Sequence, residues 1–304
     1  MNIKNTLMSG LAASALFYSS ASAEIILTDD LSLSGYVDMW FDSLDNEGDA
    51  DYGVQEIELA FAFTPAESAF SAVFELSLDG NDDFTAGGSE GVDLNTETVT
   101  VTYAASDALS YTIGNILSYQ GFETYDATGL YQYSYSGLGG SPLYSAAYAF
   151  GASADYATDD YSLGFWIGDS AGALSYEALF AYTAVEDLTL KFIYANDPGY
   201  ESFNVWGAYD YGDYTFAFEY YDDDQLAGDD TESIMFLAYK SFGDAGLTFR
   251  YVDGEIGGAS YERVTFSPSY AVSDNVFVLA EFTFEEAGTG GTSEEFAAEL
   301  IYSF

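Results

Sequence analysis

The chain has no cysteine and no histidine, only 4 prolines, and 5 basic residues against 51 acidic ones in 304. Without cysteine there is no disulfide framework, whether or not the protein is exported. Without cysteine and histidine together, no Ser–His or Cys–His nucleophile, imidazole metal ligand or thiolate zinc site can be assembled. Catalysis would have to rest on carboxylates and hydroxyls, and among 51 carboxylates close pairs arise by chance. The chain is therefore read as a non-enzyme that needs no cofactor. A formal charge of −46 removes nucleic acid as a partner, since phosphate requires a basic face. Beyond the first residues, no stretch approaches the ~18 consecutive apolar residues of a spanning helix.

What is present is aromatic and glycine-rich: 28 Tyr, 24 Phe and 30 Gly, with 49% of residues hydrophobic. That composition favours strands and turns over disorder. Met1 to Ala23 reads as a secretory signal peptide. Lys4 supplies the basic start, Leu7 to Phe17 the short apolar stretch, and Ala21-Ser22-Ala23 the small-residue cleavage site. Its removal takes one basic and no acidic residue, leaving a formal charge of −47 on residues 24–304.

From residue 24 onward, about nine residues of alternation are followed by a break, again and again. Phe70, Ala72, Phe74, Leu76 and Leu78 alternate with Ser71, Val73, Glu75, Ser77 and Asp79. A period of two with one apolar side is a half-buried strand. Such segments begin near Leu31, Tyr52, Phe70, Thr96, Leu109, Tyr144, Tyr161, Leu174, Leu188, Phe203, Tyr214, Ser233, Leu247, Tyr261, Asn275 and Glu294. The breaks take turns in length. "ATDD", "YGD" and "VSDN" are short, whereas "GNDDFTAGGSEGVDLN", "DDDQLAGDDTE", "DGEIGGAS" and "EEAGTGGT" are long, acidic and rich in glycine. A β-sandwich or β-helix also alternates but gives no reason for break lengths to take turns. The pattern predicts an all-β, transmembrane, antiparallel up-and-down barrel of about sixteen strands, with short periplasmic turns and long acidic extracellular loops.

With the apolar parity facing lipid, the other parity lines the lumen. It holds the basic residues Lys191, Lys240, Arg250 and Arg263, grouped in one sector of the wall. On the other side of the closure seam it holds Asp38, Glu56, Glu58 and Glu75, with Glu281 and Glu299 on the last two strands. Opposed sectors of this kind set a transverse field, although four basic positions also cluster by chance. Trp40, Trp166 and Trp206 share the inward parity, where filling the wall is favoured over stacking on sugars. Pro268 lies inside a strand pattern and calls for a bulge or a turn end. Residues 118–143 form a break too long and aromatic for a solvated tip, and loops of that length are usually functional. The acidic runs (Asp42, Asp45, Glu47, Asp49 and Asp51; Asp222 to Asp224, Asp229, Asp230 and Glu232) offer oxygen ligands for loose Ca²⁺ or Mg²⁺ binding without EF-hand order, so no specific metal site is expected.

The chain ends on Leu300, Tyr302 and Phe304, at alternate positions of its last strand. This ending resembles the C-terminal signature of Gram-negative outer-membrane proteins. The segment Gly114-Asn115 followed by Gly121 and Glu123 resembles a family of outer-membrane β-barrel porins, with Tyr119 standing where a proline is expected. The resemblance implies a water-filled channel for passive diffusion of small hydrophilic solutes and ions. It also implies a homotrimer, and a last strand read by the barrel-assembly machinery through Leu300, Tyr302 and Phe304. The third loop, with Tyr119, Glu123 and Asp126, would form the constriction, placing Glu123 and Asp126 near the eyelet. The carboxylates around mouth and seam add an expected preference for cations. The rivals are a structural or adhesive surface barrel plugged by its own loop, and a secreted acidic protein that binds divalent cations.

Overall fold

The structure is a computed structural model that describes residues 24–44, 50–79, 93–123, 125–144, 148–170, 172–226, 228–288 and 290–304. Residues 1–23, read above as a signal peptide, and Asp45, Glu47 and Asp49 lie outside them. The chain opens with a short strand, β1 (Ile25–Thr28). Then come β2 (Leu31–Leu44), β3 (Ala50–Phe63), β4 (Phe70–Asp79), β5 (Asp93–Ala104) and β6 (Leu109–Leu117). After a long connection follow β7 (Tyr148–Ala157), β8 (Tyr161–Ser170), β9 (Ala173–Tyr182), β10 (Leu188–Asp197), β11 (Tyr200–Tyr211) and β12 (Tyr214–Gln225). The wall ends with β13 (Thr231–Phe242), β14 (Ala245–Ile256), β15 (Ala259–Ser273), β16 (Val276–Ala287) and β17 (Gly291–Ser303).

Each strand from β2 to β17 pairs antiparallel with the next, and β17 returns to β2 from Ser303↔Tyr36 to Glu295↔Leu44. The sheet closes on itself, so no strand of the wall keeps a free edge. At the seam, Gly35 N–H donates to Phe304 O (2.8 Å) and Phe304 N–H to Gly35 O (2.9 Å). Beyond that point β17 has run out, and β1 takes its place along β2 with Ile25↔Leu33 and Ile26↔Ser32. Four residues are too few to give a period, so β1 has no counterpart in the sequence pattern.

The apolar parity faces outward. Phe165, Phe192, Phe216, Phe236, Phe249 and Phe282 are all exposed on the outer surface. Aromatics gather at the turn end, where Phe70, Tyr111, Tyr211, Tyr214, Tyr270 and Tyr302 form a girdle of the kind found at a membrane interface. The short turns are capped by hydroxyls: Ser106 Oγ accepts from the N–H of Ala108 and Leu109, and Thr158 Oγ1 from those of Asp160 and Tyr161.

Three local expectations change. The strand expected from Tyr144 starts at Tyr148, and Tyr144 is a buried residue at the end of the long loop. Pro268 makes no bulge but lies toward the turn end, the other half of the expectation: it pairs in register with Leu247, close to the start of β14, while the ladder to β16 skips Ser267 and Pro268 between Phe266↔Phe282 and Ser269↔Leu279. Its ring faces the outer surface, and the missing N–H costs rungs rather than register. The acidic runs do not all form open loops. "DDDQ" extends β12, and "DGEI" extends β14 to a two-residue turn, Gly257-Gly258, with φ of +58° and +82°. Positive φ at both positions is the tight-hairpin geometry, which lets two strands run to their tip.

Candidate functional site: a lumen divided by an inward loop

The connection after β6 folds into the barrel and packs against one half of the wall. At its root, Glu177 of β9 accepts from Ser118 Oγ and from Tyr119 N–H, both at 2.8 Å. The Tyr119 hydroxyl donates to Asp155, and its ring covers Gly164, where a Cβ would come within 2.8 Å of it. The chain turns at Gly121, whose φ of +97° suits glycine, and whose absent Cβ leaves room for the Tyr144 ring. Gly121 N–H then donates to Asn204 Oδ1 (3.1 Å) and Phe122 N–H to Glu219 Oε1 (2.9 Å).

Further along, the loop is held by a buried ionic network. Arg250 Nη1 meets Glu123 Oε1 at 2.5 Å and also donates to Ser134 O at 2.7 Å. Glu123 accepts from Gln132 Nε2 and Ser136 N–H, each at 2.8 Å. Glu281 accepts from Ser134 N–H and Oγ. Arg263 pairs with Glu285 (2.9 Å) and Glu295 (2.8 Å), and donates to Ser134 Oγ. Gly139 N–H donates to Glu285, and Thr248 Oγ1 to Tyr131 O. Beneath the loop lies a dry core inside the barrel, in which Phe122 and Tyr131 pack on Trp206, Ile193, Met235, Leu237 and Val252.

The basic residues thus occupy places different from those expected. Arg250 and Arg263 are inward but wholly buried and ion-paired under the loop, so they do not oppose the acidic sector across open water. Lys191 is inward and buried, its amine 4.7 Å from the centroid of the Trp206 ring. Lys240 is on the outward parity. Its neighbours Ile234 and Phe236 alternate outward with it, and its amine lies 3.8 Å from the ring centroid of Tyr214 in the aromatic girdle. At that depth a lysine stem lies along apolar surface while its head reaches water, so the cost of burial in lipid does not force it inward. Glu123, expected at the eyelet, is instead the buried partner of Arg250. Trp166 and Trp206 fill the wall.

The opposite half of the lumen is different. Inward side chains of β11 to β15 such as Asn204, Met235, Thr248 and Thr265 are fully buried, whereas Glu56, Glu75, Glu97, Thr98 and Thr100 of β3 to β5 keep part of their surface exposed. Carboxylate oxygens of Glu56, Glu58 and Glu97 all lie within 4.8 Å of one another. This trio could hold a hard cation through oxygen ligands alone. Asp126 of the loop stands within electrostatic reach of Glu58, Glu75 and Glu97; burial, then the charges of Glu75 and Glu97, push its carboxyl up to about 7. Tyr125 and Tyr135 flank it, the Tyr135 hydroxyl donating to Tyr125 O. At the seam, Asp38 and Glu299 approach within hydrogen-bonding reach, and Asp38 Oδ1 and Glu299 Oε2 are buried without a donor. In the acidic run of β12, Asp223 accepts from Thr231 N–H and Tyr221 OH, closing the hairpin.

Sequence reasoning missed Glu97 and Glu219. Glu97 sits where the β4–β5 register shifts, so its parity is broken, and Glu219 stands alone among the aromatics of "YTFAFEYY". An inward carboxylate in an apolar strand is the signal that could have found Glu219.

No protein-family model and no curated protein matches the chain. Solved structures do. OmpT of Vibrio cholerae, an outer-membrane protein, aligns with a TM-score of 0.67 at 14% identity over 92% of this chain and 100% of its own. An anion-selective porin from Comamonas acidovorans gives 0.66 at 14% identity over 90% and 99%. A variant of the Rh. blastica porin gives 0.67 at 16% identity over 90% and 100%. The chain has the fold of bacterial outer-membrane β-barrels.

Proposed function

We propose that this barrel is an outer-membrane porin that passes small hydrophilic solutes and ions by passive diffusion and prefers cations. The observation that carries the reading is the divided lumen. The passage runs between the loop and β3 to β5, where Glu56, Glu58, Glu75 and Glu97 face Asp126, while Arg250 and Arg263 are neutralised on the far side of the loop. Carboxylates crowded beside a narrow water path raise local cation concentration. The Comamonas acidovorans porin is described as anion-selective. A likeness at 14% identity concerns the fold alone, so selectivity is argued from this chain's own residues.

Export by the Met1–Ala23 segment, insertion through Leu300, Tyr302 and Phe304, and assembly as a homotrimer in the outer membrane belong to the same proposal. So does the absence of enzymatic activity: Glu177, Glu219, Glu281 and Glu285, buried on the inward face, hold the loop rather than face a substrate cavity. The dry core under the loop favours a second reading, a surface barrel without an open pore.

Planar-bilayer recording across a salt gradient separates the two. A reversal potential of cation-selective sign supports the porin, and the anion-selective sign overturns the charge map. Silent bilayers, together with liposomes that fail to swell in small sugars, favour the closed barrel.

A further inference from the structure

Glu219 stands on the inward face of β12, 1% exposed. One of its oxygens, Oε1, accepts three hydrogen bonds. Phe122 N–H (2.9 Å) comes from the start of the loop, Asn204 Nδ2 (2.8 Å) from the neighbouring strand β11, and the Tyr144 hydroxyl from the end of the loop. The other oxygen, Oε2, is buried without a partner among the described residues. Phe122 and Tyr144 are 22 positions apart in the chain, and nearly the whole constriction loop lies between them.

We infer that Glu219 is the positioning residue of the channel: one carboxylate oxygen ties both ends of the loop to the wall and so fixes how far the loop reaches into the lumen. The inference rests on the porin reading, since it names what sets the size of that pore. The other anchors act within the loop's course. Glu177 holds residues 118 and 119, and the Arg250–Glu123–Ser134–Glu281 network holds the middle. Neither of these joins start to end; within the loop the Tyr125 hydroxyl donates to Tyr144 O (2.8 Å), but that bond does not reach the wall, whereas Glu219 ties both ends to it. Asn204 reinforces the knot, because it accepts from Gly121 N–H while donating to Glu219. Tyr144 belongs to it sterically as well, its ring filling the space over Gly121 and meeting Tyr221 edge-on at 5.2 Å. A carboxylate held by three neutral donors works as an acceptor rather than as a charge. Its role is therefore separable from the field of the pore.

The test uses the full mature barrel refolded or extracted in detergent, with Glu219→Leu, Glu219→Gln and Tyr144→Phe. Single-channel conductance and open-channel noise report the pore, and limited proteolysis within residues 118–144 reports the seat of the loop independently of conduction. Glu219→Leu is expected to loosen the loop and raise conductance roughly twofold or more, toward that of the unconstricted barrel. Tyr144→Phe, which removes one donor, should give a smaller change of the same sign. Glu219→Gln should behave as wild type, because it keeps the Oε1 acceptor and loses only the oxygen that has no partner. Wild-type conductance and loop protection in both Glu219→Leu and Tyr144→Phe would overturn the inference. So would a Gln variant as loose as the Leu variant, which would make charge the agent. If Glu219→Leu fails to fold, Tyr144→Phe and Glu219→Gln still decide. If wild type itself does not conduct, the porin reading fails while proteolysis still judges the knot.

Discussion

Replacing Arg250 by methionine distinguishes a clamp from a pore charge. The Arg250 and Glu123 side chains are 0% and 3% exposed, and their closest approach is 2.5 Å. Removing the guanidinium leaves Glu123 with two donors, Gln132 Nε2 and Ser136 N–H, and no cation. Ser134 O loses its 2.7 Å donor in the same step. Breaking a buried pair by deleting one partner costs about 3–5 kcal/mol, because the remaining charge is stranded in a low-dielectric site. At about 1.4 kcal/mol per factor of ten, the ratio of seated to unseated loop falls by roughly two to three and a half orders of magnitude. A change of that size is visible as larger, noisier single-channel steps.

The second variant carries the argument. Arg250→Met combined with Glu123→Gln removes the stranded charge while keeping an acceptor for Ser136 N–H, so most of the loss should be recovered, as in a double-mutant cycle with strong coupling. Were Arg250 a charge on the pore wall, Arg250→Met would leave conductance unchanged and move only the reversal potential, toward cations. Unchanged step size in the single variant, or a double variant as loose as the single, refutes the clamp.

Two further outcomes follow from the same geometry. Because the Asp126 carboxyl is pushed up to about 7 by burial and by Glu75 and Glu97, it takes up its proton as pH falls through that value. Cation preference should therefore weaken from pH 8 to pH 6, and Asp126→Asn should remove that step; an Asn variant with the wild-type pH profile contradicts it. Lys240→Gln should cost about 0.5–1 kcal/mol of barrel stability through the lost contact with the Tyr214 ring and leave the reversal potential unchanged. A shifted reversal potential would return Lys240 to the lumen.

The wall was largely legible in the sequence because lipid and water impose opposite demands on alternate residues. Where those demands hold, in "FSAVFELSL" of β4 or "FAAELIYSF" at the C-terminus, the facing of each residue can be read directly. It fails where the loop replaces water inside. Ile193, Ala208, Met235, Leu237 and Val252 face the core under the loop, so β10, β11, β13 and β14 carry apolar residues on both parities and alternation marks the outside less clearly there. Lys240 was misplaced for that reason: in "SIMFLAYKSF" the contrast that fixes parity is missing. The ion pairs escaped for another reason. Period-two patterning says which way Arg250 points but not that 127 residues upstream Glu123 comes to meet it.

On the porin reading, the seat of the arginines, rather than the total charge, decides what the passage would select. At about 0.15 M salt the screening length is about 8 Å, so carboxylates on the outer rim, such as Asp222, Glu232 and Glu255, are largely cancelled before their field reaches the lumen. What remains is the group beside the water path: Glu56, Glu58, Glu75, Glu97 and Asp126. Had Arg250 and Arg263 stood opposite them in open water, the two signs would have made a transverse field. With both buried under the loop, the exposed half of the lumen carries one sign, and on the porin reading the loop that would constrict the pore is also what withdraws the compensating charge from it.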